Sequence, residues 1–344
     1  MKNKYSYILG IESSCDDTGV SVLRSDKTIL SNIVISQTKE QAPYQGVVPE
    51  IAARCHMSAL KSATEEALFL AKISFDDVDA IAATAGPGLI GGVIVGTMFA
   101  KSLSLALSRP YIAVNHLEGH LLSPRLSSDL EFPYLMLLVS GGHCQFVAAL
   151  GLGNYRILGQ TMDDAVGEAF DKTSKLLGLG YPGGPIIESM AKKGDPHKYN
   201  FTVPLQHRAG CDFSFSGLKT AVRDLVKKTE NICIEDLCAS FQYTVGLAIQ
   251  DRLVNAIKIF QELSDSKNFA IAGGVAANQY LRSILQNTLS KYGFSFFAPP
   301  MNLCTDNGAM IAWAGYEHFK VGELSGLDFC PVPRWSLESK HQTK

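Results

Sequence analysis

The order of the predicted secondary-structure elements occurs twice along the chain, and this repeat constrains the fold more than any other feature. Each occurrence begins with a hairpin, over residues 7–23 and again over residues 134–150. A third strand follows each hairpin and helices then alternate with strands, although a long helical insertion interrupts the second occurrence. Two halves of like order predict a duplicated α/β fold, with ligands in a cleft between the halves at the carboxyl ends of the strands.

The composition describes an ordinary globular protein with a sizeable core. The 344 residues are 46% hydrophobic and 19% charged, which fits two domains and excludes a disordered chain. Lys and Arg number 31 against 33 Asp and Glu, so a nucleic-acid partner would need a local basic patch. The 8 cysteines are scattered without a C-x-x-C pair, which predicts reduced thiols.

Two stretches of the sequence bear on whether the chain carries a signal peptide or a membrane span. Residues 1–7 lack the apolar core and the cleavage site of a signal peptide. The apolar stretch at residues 89–107 is interrupted by glycines, serines and Lys101, which favours a buried helix over a membrane span. We therefore expect a cytoplasmic protein with no membrane partner.

A pair of histidines, His116 and His120, stands in the string NHLEGH after a predicted strand. Side chains four residues apart share one face of a helix, so two imidazoles at this spacing can bind one metal ion. The same spacing also fits a solvated face or a hydrogen-bonded helix start. A metal site would need a third ligand from elsewhere in the chain.

The internal repeat supplies a candidate for the third ligand. The histidine pair follows the fifth strand of the first half, and Asp306 follows the fifth strand of the second half. A pseudo-two-fold relation between the halves would bring this carboxylate opposite the two imidazoles. An alternative role for Asp306 is that of an N-cap for the last helix, predicted over residues 306–318.

Three glycine-rich turns could bring backbone amides close to a phosphate. They are residues 140–142, 181–185 and 272–278, and each one alone also fits plain turn geometry. Their number in one half favours a nucleotide, although neither a Walker A loop nor a G-x-G-x-x-G motif is present. In the first hairpin, Glu12, Asp16 and Asp17 could hold a metal or orient a reacting group, or could cap the turn locally.

These strings together resemble a known family. The hairpin-first repeat is similar to the actin, sugar kinase and heat-shock ATPase superfamily, and the individual strings resemble the universal tRNA threonylcarbamoyladenosine transferases. The matching blocks are residues 7–19 (YILGIESSCDDTG), 115–120 (NHLEGH), 138–143 (LVSGGH), 163–172 (DDAVGEAFDK), 181–185 (YPGGP), 213–220 (FSFSGLKT), 272–278 (AGGVAAN) and 305–307 (TDN). They occur in the family's order from residue 5 to about residue 317, whereas the tail after Phe329 has no marker residues.

The resemblance implies a fold, domain limits and a role for each matching residue. It implies a duplicated actin-like (RNase H-like) ATPase fold, with residues 1–128 plus 305–344 in one subdomain and residues 129–304, with a helical insertion, in the other. His116, His120 and Asp306 would ligate one divalent metal, Fe²⁺ or Zn²⁺. The adenine nucleotide, which is threonylcarbamoyl-AMP as substrate or ATP as a further ligand, would be bound by Leu138, Val139, Ser140, Gly141, Gly142, Asp171, Gly184, Glu188 and Asn278.

The resemblance also implies a reaction and partners. The threonylcarbamoyl group of L-threonylcarbamoyl-adenylate would pass to N6 of the adenosine 3′ of the anticodon, in tRNAs that read codons beginning with A, with release of AMP. The metal would polarise the electrophile, amides 140–142 would hold the phosphate, and Glu12, Asp16 or Asp17 would accept the proton. The partners would be tRNA, a related catalytically silent subunit and a small ATPase. Candidate tRNA contacts are Lys192, Lys193, Lys198, His207, Arg208, Lys219, Arg223, Lys227 and Lys228.

Three other functions compete with this one. A metalloprotease of the zincin type needs Glu directly after the first His, whereas Leu117 stands there and Glu118 comes second. A small-molecule kinase on the same fold would transfer a γ-phosphate to a metabolite. A non-enzymatic, nucleotide-gated scaffold would have a defective metal site, but all the predicted ligands are present.

Overall fold

The structure is a computed structural model that describes residues 5–44 and 46–339. The chain divides into two compact units. Unit 1 comprises Met1–Asp129, Leu152–Asn154 and Thr305–Lys344, and unit 2 comprises Leu130–Gly151 and Tyr155–Cys304. Each unit is built on one five-stranded sheet.

The sheet of unit 1 has the strand order β3-β2-β1-β4-β5. Strands β1 to β3 pair antiparallel, whereas β4 runs parallel to β1 and β5 parallel to β4. The strands are β1 (Tyr7–Glu12), β2 (Asp17–Arg24), β3 (Ile29–Ser36), β4 (Ala80–Gly86) and β5 (Tyr111–Asn115). The helices are α1 (Thr38–Gln41), α2 (Pro49–Ala71), α3 (Ile90–Leu107), α4 (His116–Leu126) and α10 (Gly308–Val321).

Helix α10 packs directly on the central strand of this sheet. A Cβ atom added at Gly10 of β1 would lie 2.4 Å from the backbone nitrogen of Ala312 in α10. The side chains of Ile8, Leu9 and Ile11 are fully buried, as expected for a strand that is covered on both faces. The last helix of the chain is therefore an integral layer of unit 1.

The sheet of unit 2 has the order β10-β9-β6-β7-β8, which reproduces the order of unit 1 when the corresponding strands are matched. Its strands are β6 (Tyr134–Val139), β7 (Cys144–Gly151), β8 (Asn154–Gln160), β9 (Asn268–Ala272) and β10 (Ser295–Phe297). Its helices are α5 (Val166–Leu176), α6 (Gly183–Ala191), α7 (Ser216–Lys228), α8 (Ile234–Gln261) and α9 (Gln279–Lys291). Phe170 and Phe241 meet edge to face at 5.2 Å in the core between α5 and α8.

The repeat of a hairpin-first sheet is confirmed by these two strand orders, and two local predictions are corrected. Asp17 is the first residue of β2 rather than part of the bend, because its backbone pairs with Ser36 of β3. The last helix begins at Gly308 rather than at residue 306, because the side chain of Asn307 is its N-cap.

Helix α3 is long and apolar enough by composition to cross a membrane. It is also a packed helix of unit 1, with Val93, Thr97 and Ala100 fully buried. A Cβ atom added at Gly96 would lie 2.0 Å from Oγ of Ser13, so this side of α3 lies directly against the loop after β1. One side of α3 is thus packed within unit 1, whereas Ile94, Met98 and Leu105 on the rest of the helix are exposed.

The adjacent residues Gly183 and Gly184 allow a matched test of helix packing in unit 2. A Cβ atom at Gly183 would lie 2.6 Å from the carbonyl oxygen of Phe170, whereas one at Gly184 would meet nothing within 4 Å. Gly183→Ala should therefore lower the free energy of unfolding by about 3 kcal/mol because α5 and α6 must separate, and Gly184→Ala should change it by less than about 0.5 kcal/mol. Denaturant unfolding followed by circular dichroism measures both, and equal effects would contradict this packing.

Candidate metal centre and nucleotide-binding residues

Both histidines are placed by the junction between β5 and α4. Asn115 ends β5 and is the N-cap of α4, since its side-chain oxygen accepts hydrogen bonds from the backbone nitrogens of Leu117 at 2.9 Å and Glu118 at 3.4 Å. This cap makes His116 the first residue of the helix and puts His120 one turn later on the same face. The two rings lie 4.8 Å apart, nearly perpendicular to each other.

The structure brings His116, His120 and Asp306 together. One ligand atom from each of the three residues lies within 4.8 Å of the other two. The Nε2 atoms of His120 and His116 lie 2.9 Å and 3.6 Å from Oδ1 of Asp306. All three residues belong to unit 1, so this cluster forms within a single compact unit.

Asp306 is not the N-cap of α10. That role belongs to Asn307, whose side-chain oxygen accepts a hydrogen bond from the backbone nitrogen of Met310 at 3.0 Å. The Asp306 side chain is 25% exposed and turns its carboxylate toward the imidazoles. The alternative role considered for Asp306 is therefore taken by the next residue, and its carboxylate is left for the cluster.

Glu12 holds the ring of His116. The carboxylate is fully buried and its Oε2 lies 3.0 Å from Nδ1 of His116. Its Oε1 accepts from the backbone nitrogen of Ser14 at 2.6 Å, and Oε2 also accepts from Oγ1 of Thr84 at 2.5 Å. Both oxygens are thus occupied inside the protein, and the bond to Nδ1 leaves Nε2 of His116 directed at Asp306.

The charges around His116 set the protonation of this cluster when no cation is bound. Burial lowers the pKa of His116, but the carboxylates of Glu12 and Asp306 outweigh it and raise that pKa to about 9. Burial likewise opposes ionisation of Glu12, yet the charge and hydrogen bond of His116 hold the pKa of Glu12 below its usual value. The negative charges of Glu12 and Asp306 therefore favour a cation beside His116, either the proton of its imidazolium or a bound metal ion.

The donor set fits a divalent transition metal. Two imidazole nitrogens and one carboxylate oxygen are the ligands that catalytic zinc sites and non-haem iron sites use, with further positions open to a substrate. An orienting partner on the second nitrogen of a ligating His is the usual support for such a site, and Glu12 provides it for His116. Among the described residues, Nδ1 of His120 has no hydrogen-bond partner, so this ring directs its polar contact to Asp306 through Nε2.

The two aspartates of the first hairpin lie closer to solvent than Glu12. Both are half-buried, and burial raises the pKa of Asp17 to about 6, with further contributions from the negative charges of Asp16 and Asp306. An aspartate with such a pKa is mostly ionised at neutral pH and still basic enough to accept a proton. Asp17 is thus chemically suited to the role of a base.

Glu118 does not belong to the metal cluster. Its Oε2 lies 3.0 Å from Nε2 of His318 in α10, and Nδ1 of that ring lies 2.7 Å from Oε2 of Glu323. Glu118 and His318 are both buried. A zincin needs its glutamate beside the metal-bound water, so this pairing argues against the metalloprotease interpretation.

The first predicted nucleotide-binding turn connects β6 to β7 in unit 2. Leu138 and Val139 end β6 inside the core, and the turn is closed by a hydrogen bond from the backbone nitrogen of Ser140 to the carbonyl of His143 at 2.8 Å. Cβ atoms added at Gly141 or Gly142 would meet nothing within 4 Å, so their backbone is open to a ligand.

Two glycines bring neighbouring elements against this turn. A Cβ atom at Gly167 in the first turn of α5 would lie 2.6 Å from the carbonyl oxygen of Ser140. One at Gly273, whose φ is +96°, would lie 2.2 Å from the carbonyl oxygen of Val139. The turn at residues 272–278 therefore lies beside the turn at residues 140–142, as the phosphate-binding prediction requires.

The remaining predicted nucleotide residues are engaged in contacts of their own. Asp171 accepts a hydrogen bond from the backbone nitrogen of Gly183 at 2.7 Å, and burial raises the pKa of Asp171 although this bond opposes the shift. Oε1 of Glu188 accepts from the backbone nitrogen of Gln279 at 2.9 Å. Asn278 caps α9 and donates through Nδ2 to Oε1 of Gln242 at 2.9 Å.

A pocket lies beside these last contacts in unit 2. It has a volume of about 330 Å³ and is lined by Glu188, Ala191, Lys192, Pro196, Ala239, Gln242, Gln279 and Tyr280. Gln242 was missed by the sequence analysis because it stands inside a long amphipathic helix with no local motif. Ser14 and Thr84, which hold Glu12, were also missed, because Ser14 lies in the loop after β1, Thr84 lies in β4 and no motif links them to Glu12, although Ser14 stands within the YILGIESSCDDTG block.

Comparison with known proteins gives the family. The family model for tRNA N6-adenosine threonylcarbamoyltransferase matches residues 28–313. The chain belongs to this family. The transferases of this name from Rickettsia bellii (strain OSU 85-389) and Orientia tsutsugamushi (strain Ikeda) are each 57% identical to it, over 336 and 341 residues. These alignments cover 96% of this chain and 98% or 99% of the relative.

Solved structures of more distant proteins show the fold. The match to HypF from T. kodakarensis covers 92% of this chain and 48% of the HypF chain, with a TM-score of 0.59 and 15% identity. Component A of (R)-2-hydroxyglutaryl-CoA dehydratase from Acidaminococcus fermentans matches 91% of this chain and 98% of its own with a TM-score of 0.54 and 14% identity. The predicted duplicated actin-like fold is confirmed, and the family assignment confirms that the chain is a transferase of tRNA processing.

The pair of Glu118 and His318 predicts a pH dependence of stability in this threonylcarbamoyltransferase family member. Burial lowers the pKa of His318, but Glu118 and Glu323 outweigh it and raise that pKa from 6.5 to about 9, a stabilisation of about 3 kcal/mol. Because the folded-state pKa is raised, this stabilisation is complete below pH 6.5 and is lost as the pH rises through 9. The difference in free energy of unfolding between wild type and His318→Gln should fall over this range, and a difference independent of pH would contradict the pairing.

Proposed function

We propose that the chain transfers the threonylcarbamoyl group of L-threonylcarbamoyl-adenylate to N6 of the adenosine 3′ of the anticodon. The substrates are tRNAs that read codons beginning with A, and AMP is released. The convergence of His116, His120 and Asp306, with Glu12 orienting the first ring, carries this proposal. The identity of 57% with transferases of this name over almost the whole chain supports it.

In the proposed reaction one bond forms and one breaks at the carbamoyl carbon. The N6 amine forms a bond to the carbamoyl carbon, the bond from that carbon to the phosphate oxygen breaks, and AMP departs with the electron pair. When His116, His120 and Asp306 hold a divalent cation, Fe²⁺ or Zn²⁺, its positive charge would stabilise the negative charge that develops as AMP departs. The backbone amides of Gly141 and Gly142 bind the phosphate that leaves, and these bonds strengthen as its negative charge grows, whereas the amide of Ser140 already donates to the carbonyl of His143.

The proton of the attacking amine needs an acceptor among the carboxylates of the first hairpin. Glu12 is fully buried, and both of its oxygens are engaged in hydrogen bonds with Ser14, Thr84 and His116. Asp17 is half-buried with a pKa of about 6, which matches the requirements of a base near neutral pH. We therefore assign proton acceptance to Asp17, with Asp16 beside it, and the orientation of His116 to Glu12.

The partners and cofactors implied by the family resemblance form part of the same proposal. We propose that the chain works in the cytoplasm with tRNA, a related catalytically silent subunit and a small ATPase. The adenine nucleotide contacts proposed are Leu138 to Gly142, Asp171, Gly184, Glu188 and Asn278, with ATP as a further ligand. The closeness of Glu188 to the start of α9, where Asn278 is the N-cap, supports a common role for these two residues.

Replacement of the histidines tests the metal centre. His116→Ala and His120→Ala should each lower tRNA modification by about 100-fold or more, because a site with two ligands binds a divalent cation far more weakly. The assay incubates each variant with threonine, bicarbonate, ATP, tRNA and the candidate partner subunits, and measures the modified nucleoside by mass spectrometry.

Glu118→Gln is the matched control on the same helix. Its amide preserves the shape of the contact to His318, so it should retain most of the modification activity. A zincin-type protease would lose its general base in this variant. Full modification by the histidine variants, or cleavage of a glycoprotein by wild type that Glu118→Gln abolishes, would refute the proposed function.

A loop of unit 2 is the best-supported tRNA contact among the basic candidates. The guanidinium of Arg252 is buried and donates to the carbonyl oxygens of Leu205 at 2.7 Å, Arg208 at 2.8 Å and Gly210 at 3.0 Å. Leu205 and His207 have positive φ, a conformation that non-glycine residues adopt only when the surroundings enforce it. Within the described residues, no acidic side chain pairs with the exposed Arg208, so its charge is available for a phosphate.

Arg208→Ala should weaken tRNA binding about threefold to tenfold and reduce the slope of log affinity against log salt by about one, because one phosphate contact is lost. Arg54→Ala is the control, since Arg54 is not among the candidate tRNA contacts and already donates to Glu50 at 2.6 Å. Filter binding at several salt concentrations measures both variants. Equal losses in the two variants would assign the effect to overall charge rather than to this loop.

A further inference from the structure

The C-terminal segment of residues 329–337, called the brace here, contacts the turn after β4 and Asn115, the residue that precedes the proposed metal ligands in α4. It has no role in the sequence motifs or in the proposed chemistry. Hydrogen bonds connect its backbone to the rest of unit 1. The nitrogen of Val332 donates to the carbonyl of Ala85 at 2.8 Å, the carbonyl of Pro333 accepts from Gly88 at 3.2 Å, and the carbonyl of Trp335 accepts from Nδ2 of Asn115 at 3.2 Å.

Side chains of the brace fix it in this position. Trp335 is 7% exposed and packs in the core of unit 1, with the ring of Phe329 5.3 Å away. Lys101 donates to the carbonyl oxygen of Phe329. A Cβ atom at Gly86 would lie 1.8 Å from the carbonyl oxygen of Val332, so this position accepts only glycine while the brace is docked.

The first connection from the brace to the metal ligands runs through Asn115. Its side-chain oxygen accepts a hydrogen bond from the backbone nitrogen of Leu117 and so caps α4, and its side-chain nitrogen donates to the carbonyl oxygen of Trp335. The bond to Trp335 therefore fixes the rotation of the capping amide. Since His116 is the next residue and His120 lies one turn later, the cap sets the start of the helix that presents both rings.

The second connection runs through the turn after β4. Gly88 donates its backbone nitrogen to Pro333 of the brace, and a Cβ atom on Gly88 would lie 2.6 Å from the carbonyl oxygen of Ser14. Leu89 donates its backbone nitrogen to the same carbonyl oxygen at 2.7 Å. The hydroxyl of Ser14 in turn lies 3.1 Å from Nδ1 of His116, so this turn sits between the brace and the first imidazole.

We propose that the brace is a positioning element of the metal centre: docking of residues 329–337 holds Asn115 and Ser14, and through them the imidazoles of His116 and His120, in ligating geometry. Release of the brace leaves the fold of unit 1 in place and frees the start of α4. The proposal rests on the proposed metal centre, because it concerns the residues that support its ligands. Supporting contacts of this kind alter metal affinity by about 10-fold to 100-fold.

The test measures binding of Co²⁺ alone to the full chain, through the visible absorption that the ion gains when protein nitrogen and oxygen atoms ligate it. Trp335→Ala removes the side chain that anchors the brace. Asn115→Ser keeps an N-capping oxygen but loses the donor to Trp335. Both variants should bind Co²⁺ about 10-fold or more weakly than wild type, with the absorption band altered. Arg334→Ala, at an exposed position of the same segment, should bind like wild type.

A second measurement separates this proposal from the metal centre itself. Amide hydrogen exchange in the metal-free proteins should be faster in α4 for Trp335→Ala and Asn115→Ser, and unchanged for Arg334→Ala. If wild type binds no Co²⁺, the metal centre fails and the exchange rates still decide the brace. If Trp335→Ala does not fold, Asn115→Ser decides. Unchanged Co²⁺ affinity and unchanged exchange in a folded variant would overturn the proposal.

Discussion

The close approach of α10 to β1 and β2 is the constraint on which the proposed site depends. Glycines make it possible from both sides. A Cβ atom at Gly19 would lie 2.6 Å from the nitrogen of Gly308, and one at Gly308 would lie 2.5 Å from the nitrogen of Ser21. Helix and sheet therefore meet backbone to backbone. Asp306 stands two residues before this contact, which is why its carboxylate reaches the imidazoles on α4.

Near that contact, some polar groups of unit 1 hold the proposed metal ligands in place, and others are available for proton transfer. Glu12 has both oxygens satisfied within the protein and orients His116, whereas Asp17 stays nearer the solvent with a pKa of about 6. Carboxylates of one hairpin thus differ in chemistry because their surroundings differ. Glu118, although it stands between the two histidines in sequence, turns to His318 and secures α4 to α10.

The sequence predicted the features that depend on local periodicity and on spacing. The repeated hairpin-first order predicted both sheets, and the spacing of four residues predicted that His116 and His120 lie on one face of a helix. Asp306 could be found through the internal repeat and through the TDN block of the family resemblance, but not through local spacing, since 186 residues separate it from His120. The placement of Asn307 as the cap was not predicted, because adjacent Asp and Asn are both good N-caps.

Other parts of the site left no signal in a single sequence. Ser14 in the loop after β1 and Thr84 in β4 both support Glu12, and no motif joins them. The brace is tied to α4 by the main-chain carbonyl of Trp335, an atom that every residue type provides. Contacts of this kind arise from tertiary packing, so they become visible only once the chain is folded.

Anomalous X-ray scattering from crystals of the metal-loaded protein would show whether His116, His120 and Asp306 bind one cation. Data collected on either side of the iron or zinc absorption edge would locate the ion. We expect a single strong peak within about 2.3 Å of Nε2 of His116, Nε2 of His120 and a carboxylate oxygen of Asp306, with Nδ1 of His116 still bonded to Glu12. A peak at another position, or a cation bound through Nδ1 of His116, would contradict it.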